Sequence, residues 1–265
     1  MPITLLSDFG LTDGYVGSMK GVIAQIAPHA TVIDLTHLIP PQDIAAARFH
    51  LMVVYSDFPA GTVHVAVVDP GVGGPRRAIA VQLSQGWLVG PDNGLFSGVL
   101  RQHPAVTAIE LTNPHYWRRP SPSATFQGRD IFAPVGAHLA NGVAGLALGR
   151  AIDPDTLVQL HLPPLTQVNL GKTRHIQGCI QAIDHFGNLI TNIPESLVQG
   201  CRWQVQVAEI SYASKLTYAA GQPGQIISLV GSHGWVEIAV NQGSAAQQLG
   251  MAVGGAIALV LVITE

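Results

Sequence analysis

An apolar run that ends on a carboxylate and a glycine-rich turn constrains the fold of this chain more than any other feature. Residues 63–68 are apolar apart from His64, which is typical of a buried parallel strand. Asp69 follows at once, and the sequence PGVGGP then turns the chain before Arg76 and Arg77. Ligands of open α/β sheets bind beyond the carboxyl ends of the strands, so we expect Asp69 and one arginine to form a charged site there. The alternative is an Asp–Arg pair that only fixes a surface turn.

Strands and helices alternate through the first part of the chain. The apolar patterns predict strands at 3–9, 31–35, 63–68, 78–83, 87–89 and 106–111, and helices at 15–26, 40–54 and 131–139. The strands at 78–83 and 87–89 are close enough to form a hairpin. Such alternation is typical of a mostly parallel sheet that is covered by helices on both faces.

The character of the sequence changes near Pro164. Short apolar runs separated by Gly and Asn turns then predict strands at 176–183, 189–192, 203–207, 226–230, 235–240 and 256–263. A series of short strands with few helical patterns is typical of a small β-barrel or sandwich. We therefore predict an α/β domain over residues 1–163 and a β-barrel domain over residues 164–265.

The composition excludes several classes of partner. Charged residues make up 11% of the chain and the net charge is −3, so nothing in it favours nucleic acid or an anionic membrane. The longest apolar stretch, 256–263, is too short to span a bilayer, and no signal peptide is visible. The two cysteines, Cys179 and Cys201, lack metal-ligand spacing, which favours a reducing cytoplasm. The sparse charge favours an oligomer, in which apolar surface is covered.

Other polar clusters follow predicted strands. Asp8 comes at the end of the first strand, and Asp13 precedes the first helix, where it is either a helix cap or a ligand-binding residue. Gly128 lies just before a predicted helix and permits close approach of the backbone to a ligand. In the second domain the clusters are the turn 183–188, the turn 231–234 and the strand end that carries Glu237. Taken alone, each of these is an ordinary turn.

Together, these stretches resemble the S-adenosyl-L-methionine hydroxide adenosyltransferase family, which is related to fluorinases and chlorinases. The matching segments run in the family's order and cover both domains: LLSDFGLTDGYVGSMKGVI, VVDPGVGGPRR, VGPDNGLF, TFQGRDIFAPVGAHLA, IDHFGNLITNI and VEIAVNQGSAA. The resemblance implies an α/β domain followed by a β-barrel. It also implies a homotrimer in which the ligand lies between one subunit's first domain and a neighbour's second.

The activity that the resemblance implies is attack of water on ribose C5′ of S-adenosyl-L-methionine (SAM), which releases adenosine and methionine without a metal or redox cofactor. Asp69 and Arg76 match two members of the family's Asp–Arg–His set, which orients and polarises the water. Asp8 matches the residue that holds the ribose hydroxyls. Because this chain keeps the Asp, and because Gly128 has no hydroxyl to hold a halide, hydrolysis is favoured over halogenation.

The resemblance also implies the remaining substrate-binding residues. Those at the methionine end are Asp13, Tyr15, Asp184 and Ser232, those at the adenine are Phe186 and Asn188, and those on strand ends that flank the same pocket are His233, Glu237, Val240 and Gln242.

The chain departs from the family pattern at Gln127, where the third member of the set is a histidine. Glutamine can donate and accept hydrogen bonds but does not titrate near neutral pH. One interpretation is that Gln127 still orients the water as a catalytic residue. The other is that the protein binds SAM or adenosine with little or no turnover.

A third hypothesis is a metal-dependent hydrolase that uses Asp8, His37, His64 and Asp69, since carboxylates and imidazoles at strand ends are potential ligands. The spacing of these residues does not support it.

Overall fold

The computed structural model describes residues 1–207 and 210–262, and the chain divides into two compact units, Met1–Leu160 and His161–Glu265. The boundary predicted at Pro164 lies just after this division. None of the helices in the described residues is long and apolar enough to cross a membrane.

The first unit is an α/β sandwich built on a seven-stranded sheet. Its strands are β1 (Ile3–Ser7), β2 (Val32–Thr36), β3 (Thr62–Val67), β4 (Ala78–Gln82), β5 (Gly86–Pro91), β6 (Thr107–Glu110) and β7 (Arg150–Ile152). Its helices are α1 (Tyr15–Ile26), α2 (Ile44–Val54), α3 (Ser97–Gln102) and α4 (Ala133–Ala140). A π-helical turn, Gly128–Phe132, leads into α4. The predicted α/β class is confirmed.

The sheet is parallel in one half and antiparallel in the other. The strand order is β2-β1-β3-β5-β4-β6-β7, and β1, β2, β3 and β5 run parallel. The hairpin from β4 to β5 reverses the chain within a few residues, so these two strands pair antiparallel, as do β4 with β6 and β6 with β7. The sheet is therefore mixed, whereas the alternation of strands and helices predicted a mostly parallel one.

Helices cover both faces of this sheet. On α1 the buried residues Val16, Met19 and Ile23 recur at helical spacing, and Met19 and Ile23 share a core cluster with residues of β1, β3 and α4. Gly136 lets α4 approach β3 closely, because a Cβ there would lie 2.5 Å from Val65 Cγ2. The helix α2 packs on the opposite face, where the Tyr55 ring that follows it lies 5.0 Å from the His64 ring of β3.

Several predicted boundaries shift in the structure. The first strand ends at Ser7, and α4 begins at Ala133 because the π-helical turn occupies the preceding residues. The helix predicted from Pro40 begins only at Ile44, where the Asp43 carboxylate caps it by accepting a hydrogen bond of 2.9 Å from Ala46 N.

The second unit is a nearly closed β-barrel. Its strands are β8 (Thr166–Leu170), β9 (Thr173–Ile183), β10 (Leu189–Pro194), β11 (Arg202–Val207), β12 (Ile210–Ala213), β13 (Ile226–Val230), β14 (Trp235–Val240) and β15 (Ala256–Val262), with a short helix α5 (Ala245–Leu249). The sheet runs from β12 to β13, and a hydrogen bond of 2.8 Å from Lys215 N to Ser228 O links those two ends. The pattern did not predict β8 or β12. Residue 263, predicted to end the last strand, lies outside the described residues.

Candidate active site

The loop after β3 is a pair of consecutive tight turns. Val72 N donates to Asp69 O at 3.1 Å, and Gly74 N donates to Gly71 O at 3.0 Å. Gly73 has a φ of +78°, and a Cβ at this position would lie 2.5 Å from Ala124 O. Only glycine fits such a conformation and such a close approach. The loop therefore folds back on itself while it packs against the segment that contains residue 124.

This turn brings Arg76 onto Asp69. Arg76 Nε lies 3.0 and 3.1 Å from the two Asp69 carboxylate oxygens, and Nη2 donates to Oδ2. The Asp69 and Arg76 side chains are only 5% and 13% exposed. Arg77 pairs elsewhere, since its Nε donates to Asp92 Oδ2 at 2.8 Å. Of the two arginines that the loop pattern left open, Arg76 is thus the one beside Asp69, and it is also the one that the resemblance indicates.

Gln127 is hydrogen-bonded to the same Arg76, so three side chains are linked. Arg76 Nη2 donates to Gln127 Oε1 at 2.5 Å, so one guanidinium joins Asp69 to Gln127. The Arg76 guanidinium carbon also lies 5.5 Å from the centre of the Phe132 ring, which supports the guanidinium from the helix side. The three residues predicted to be catalytic therefore lie together in the structure.

The buried carboxylate of Asp130, which follows Gln127 in the chain, holds the backbone around Gln127 in place. Asp130 is fully buried and accepts from Arg129 Nε at 2.7 Å and from Ser123 N at 2.8 Å, with Arg118 and Arg119 both at 3.3 Å. Burial alone would raise the pKa of Asp130, but the hydrogen bonds and charges around it hold that pKa well below its usual range. Asp130 N also donates to Phe126 O at 3.2 Å. Asp130 was not among the predicted site residues, although it lies in the quoted segment TFQGRDIFAPVGAHLA.

These elements border a cleft with a volume of about 410 Å³. Its lining consists of Asp8, Phe9, Tyr15, Gln42, Val67, Asp69, Pro70, Val72, Thr125, Phe126, Gln127 and Gly128. The rings of Phe9, Tyr15 and Phe126 form one wall, with centroids 5.2 to 6.0 Å apart. The cleft thus combines an aromatic wall with two aspartates and two glutamines.

Asp8 lies at the mouth of β1, as the sequence predicts, and contacts a strained backbone. Its Oδ2 accepts a hydrogen bond of 2.8 Å from Gln42 N. Gln42 has a φ of +67°, which is uncommon for a residue with a side chain. The carboxylate therefore helps to fix the turn before α2 at the edge of the cleft.

The structure differs from the sequence-based expectations for Gly128 and Asp13. Gly128 lines the cleft, but a side chain at this position would point into the protein, because a Cβ there would lie 3.3 Å from the Phe9 ring and 3.4 Å from Met19 Sδ. Asp13 does not cap α1, whose N-cap is Gly14 with no side-chain hydrogen bond. Asp13 is exposed and falls outside the set of described residues that line the cleft.

In the barrel unit, Asp184 organises the turn between β9 and β10. Its Oδ1 accepts from Phe186 N at 3.0 Å and from Asn188 N at 2.8 Å, and its Oδ2 accepts from Asn188 Nδ2 at 2.9 Å. Asn188 is buried, whereas the Phe186 ring projects outward with 73% of its surface exposed. Asp184 therefore stabilises this turn through its hydrogen bonds. The turn exposes the Phe186 ring to solvent.

A second cluster surrounds the buried carboxylate of Glu237. The Tyr218 hydroxyl donates to its Oε1, and His233 Nε2 lies 3.0 Å from its Oε2. Trp235 N donates to His233 Nδ1 at 3.1 Å, so the ring proton is on Nε2 and is donated to Glu237. Burial, together with the Glu237 carboxylate, raises the pKa of Tyr218 well above its usual range.

The other predicted barrel residues flank these clusters. Ser232 is exposed in the turn between β13 and β14, next to His233. Val240 is buried at the end of β14, and Gln242 is exposed with a φ of +59°. The predicted substrate-binding roles of these residues stay predictions.

The four residues considered as metal ligands do not form a ligand cluster. The described chain contains no group of three or more His, Cys, Asp and Glu side chains placed to hold a metal ion. His64 Nδ1 lies 2.8 Å from the Thr4 hydroxyl, and burial lowers the pKa of His64 to about 4. His37 contacts Ser7 through Nδ1 at 2.7 Å and Asp34 through Nε2 at 3.1 Å.

Comparison with known families agrees with this geometry in both units. The family model of the SAM hydroxide adenosyltransferase N-terminal domain matches residues 3–149, and that of the C-terminal domain matches residues 178–258. This chain belongs to the SAM hydroxide adenosyltransferase family. The match confirms the family inferred from the motifs.

Relatives in this family carry related names. Proteins named (R)-S-adenosyl-L-methionine hydrolase from Salinispora arenicola and Thermus thermophilus are 42% and 39% identical to this chain, and each comparison covers at least 94% of both chains. A protein named fluorinase from Actinoplanes sp. is 29% identical over 90% of both chains. The crystal structure of an uncharacterized conserved protein from Thermotoga maritima has a TM-score of 0.89 and 33% identity, and it covers 97% of this chain and 99% of its own.

For a SAM hydroxide adenosyltransferase, the structure adds residues that the motifs alone did not single out. Phe9, Gln42 and Phe126 line the cleft of the first unit, and Tyr218 donates to Glu237 in the barrel. Phe9 and Phe126 lie inside quoted motifs next to predicted site residues, so adjacency could have found them. Gln42 and Tyr218 lie outside those motifs, and no local pattern marks them.

Proposed function

We propose that this protein hydrolyses SAM to adenosine and L-methionine. The observation that carries the proposal is that Arg76 hydrogen-bonds both Asp69 and Gln127. Asp69 and Gln127 both line the cleft, and the chain belongs to the SAM hydroxide adenosyltransferase family. Because relatives of 39 to 42% identity are named hydrolases of the (R) epimer at sulfur, we propose that epimer as the substrate.

The chemistry requires little from the protein beyond position and a polarised nucleophile. A water oxygen forms a bond to ribose C5′ while the C5′–S bond breaks, and the electron pair of that bond stays on sulfur as a neutral thioether. The water loses a proton, and in this proposal the Asp69 carboxylate accepts it before it passes to solvent. The positive sulfonium is a good leaving group, so alignment and exclusion of bulk water supply most of the rate increase.

The other roles follow the resemblance. We propose that Asp8 holds the ribose hydroxyls and that Tyr15 and Asp13 lie towards the methionine end. In the barrel unit, Asp184 and Ser232 are proposed at the methionine end, and Phe186 and Asn188 at the adenine. The outward-facing ring of Phe186 suits stacking on a base.

Assembly, cofactors and compartment are part of the same proposal. We propose a homotrimer in which neighbouring subunits complete each site, because the proposed ligand contacts come from both units of the chain. The reaction as written uses neither a metal nor a redox group. The two cysteines, Cys179 and Cys201, are both free thiols, which supports a cytoplasmic protein. The net charge of −3 gives no electrostatic support for a nucleic-acid or membrane partner.

A second candidate function is ligand binding without turnover. It is favoured by one observation, which is that the third member of the chain is an amide that does not titrate near neutral pH. On this alternative, SAM or adenosine would bind in the cleft and no product would form.

One experiment separates the two functions. The purified protein is incubated with (R)-SAM and, separately, with (S)-SAM in ¹⁸O-labelled water, and adenosine and methionine are measured by chromatography and mass spectrometry. We expect adenosine that carries ¹⁸O at its 5′ position, with faster release from the (R) epimer. Tight binding of adenosine by calorimetry without product from either epimer would instead establish the binding protein.

A further inference from the structure

His37 is a buried histidine that the proposed mechanism does not use. It follows directly after β2, and Ser7 is the last residue of β1. Leu6 and Thr36 are the last pair in register between these two parallel strands, so Ser7 and His37 come next to each other where the strands end. Both side chains are almost completely removed from solvent. His37 therefore lies beside the residue that precedes Asp8 in the chain.

Three contacts join the loop after β1 to the loop after β2. His37 makes two of them, because its Nδ1 lies 2.7 Å from the Ser7 hydroxyl and its carbonyl oxygen accepts from Gly10 N at 2.8 Å. The third is the hydrogen bond of 2.8 Å from Gln42 N to Asp8 Oδ2. Ser7 and Gly10 flank Asp8 in the chain. His37 therefore holds the backbone on both sides of the carboxylate that lines the cleft.

The polarity of the His37 ring follows from its neighbours. Nε2 lies 3.1 Å from Asp34 Oδ1, and an ionised carboxylate offers no proton, so the ring proton is on Nε2. Lys20 Nζ donates to the other oxygen of that carboxylate at 2.6 Å. Ser7 Oγ accepts from Phe9 N at 3.3 Å, so the hydroxyl proton of Ser7 goes to Nδ1. The ring is thus fixed from both edges, and it fixes the loop after β1 through Ser7.

We propose that His37 is a positioning residue that directs the Asp8 carboxylate towards the ribose hydroxyls of the ligand. This inference rests on the proposed function, in which Asp8 holds those hydroxyls. A carboxylate that accepts from two neighbouring hydroxyls has to meet both at hydrogen-bond distance, so a shift of its backbone weakens both contacts. Gln42 N already holds one of the Asp8 oxygens, which leaves the side chain little freedom to compensate.

A positioning role differs from a merely structural one in what it does to binding. If His37 acts through Asp8, its loss weakens only those ligands that have ribose hydroxyls, and only while Asp8 is present. If His37 only maintains the fold, its loss weakens every ligand of the cleft alike, whether or not the carboxylate is there.

Two substitutions break the contact from its two sides. Ser7→Ala removes the hydroxyl, and His37→Leu removes both ring nitrogens with little change in volume. His37→Asn keeps a polar atom near the position of Nδ1 and is the conservative variant. The matched control is His64→Leu in the middle of β3, since His64 is as buried as His37 and its Nδ1 also contacts a hydroxyl of β1, that of Thr4, at 2.8 Å.

The Kd values for adenosine and for 2′,3′-dideoxyadenosine are measured by calorimetry, with each variant alone and combined with Asp8→Ala. We expect Ser7→Ala and His37→Leu to weaken adenosine about 10-fold and the dideoxy analogue less than threefold. Neither should weaken adenosine further once Asp8 is alanine. His37→Asn should recover most of the affinity, and His64→Leu should leave both Kd values unchanged. For SAM, KM should rise in the same proportion in Ser7→Ala and His37→Leu, while kcat stays within about threefold.

Equal weakening of adenosine and its dideoxy analogue would overturn the proposal, as would a further loss of adenosine affinity beyond that of Asp8→Ala. If His37→Leu does not fold, Ser7→Ala decides by the same comparison. A wild type that binds both ligands equally would overturn the role of Asp8 and this role with it. Absence of adenosine release from SAM would overturn the proposed hydrolysis alone, because the Kd values do not depend on turnover and still decide the role of His37.

Discussion

Replacing Asp69 by asparagine tests the centre of the mechanism with almost no change in shape. Asp69 receives three donor contacts from Arg76, two from Nε and one from Nη2. Asparagine keeps one oxygen that accepts from Arg76, but its amide nitrogen would face guanidinium donors and lose those contacts. The substitution also removes the negative charge beside the attacking water.

The structure sets the expected size of both effects. Removing one partner of a buried ion pair costs about 3–5 kcal/mol, because the remaining charge is left without compensation. Asparagine still accepts one hydrogen bond and Gln127 still accepts another from Arg76, so we expect a loss of about 1–3 kcal/mol in stability. Loss of the proton acceptor should lower kcat by about 10²–10³-fold. Because the contact with water strengthens only in the transition state, KM should change little.

The matched control is Asp92→Asn at the neighbouring Arg–Asp pair. Asp92 is as buried as Asp69 and accepts from Arg77 at 2.8 Å, but it does not line the described cleft. Urea denaturation should show a similar loss of stability in both variants, while adenosine release at saturating SAM should fall only in Asp69→Asn. The role assigned to Asp69 would be refuted if Asp69→Asn kept a kcat within threefold of the wild type. It would also be refuted if the two variants lost kcat equally.

Three further predictions follow from contacts outside this pair. Asp8→Ala removes the carboxylate proposed to hold the ribose hydroxyls and also the acceptor for Gln42 N, so the Kd for adenosine in calorimetry should rise by about 10-fold or more, with a smaller change in kcat. Gly73→Ala should lower the melting temperature more than Gly142→Ala, because both glycines have positive φ but only Gly73 faces a backbone oxygen at 2.5 Å. The unfolded state should protonate His64 near pH 6.5 and the native state only near pH 4, so the free energy of unfolding should fall by about 3 kcal/mol as the pH drops through that window. In urea titrations, His64→Leu should weaken this dependence of the free energy of unfolding on pH.

Much of the fold could be predicted because its signals are local. The buried run before Asp69, the helical spacing of α1 and the short barrel strands at 226–230 and 235–240 are patterns of neighbouring residues, and the structure has those elements. The set Asp69, Arg76 and Gln127 could be named because each member stands in a motif of the family that the chain resembles, and the structure brings the three side chains together.

The sequence alone determined the elements that have clear apolar patterns, the two-part organisation of the chain and the residue types at the strand ends. Only the tertiary structure decided that half of the first sheet is antiparallel and that Tyr218 donates to Glu237. It also decided that the Gln127 oxygen faces Arg76 across 51 residues of chain. The physical reason is that these contacts join side chains far apart in the sequence, and their geometry depends on how the strands pack, which no local pattern of hydrophobic and polar residues encodes.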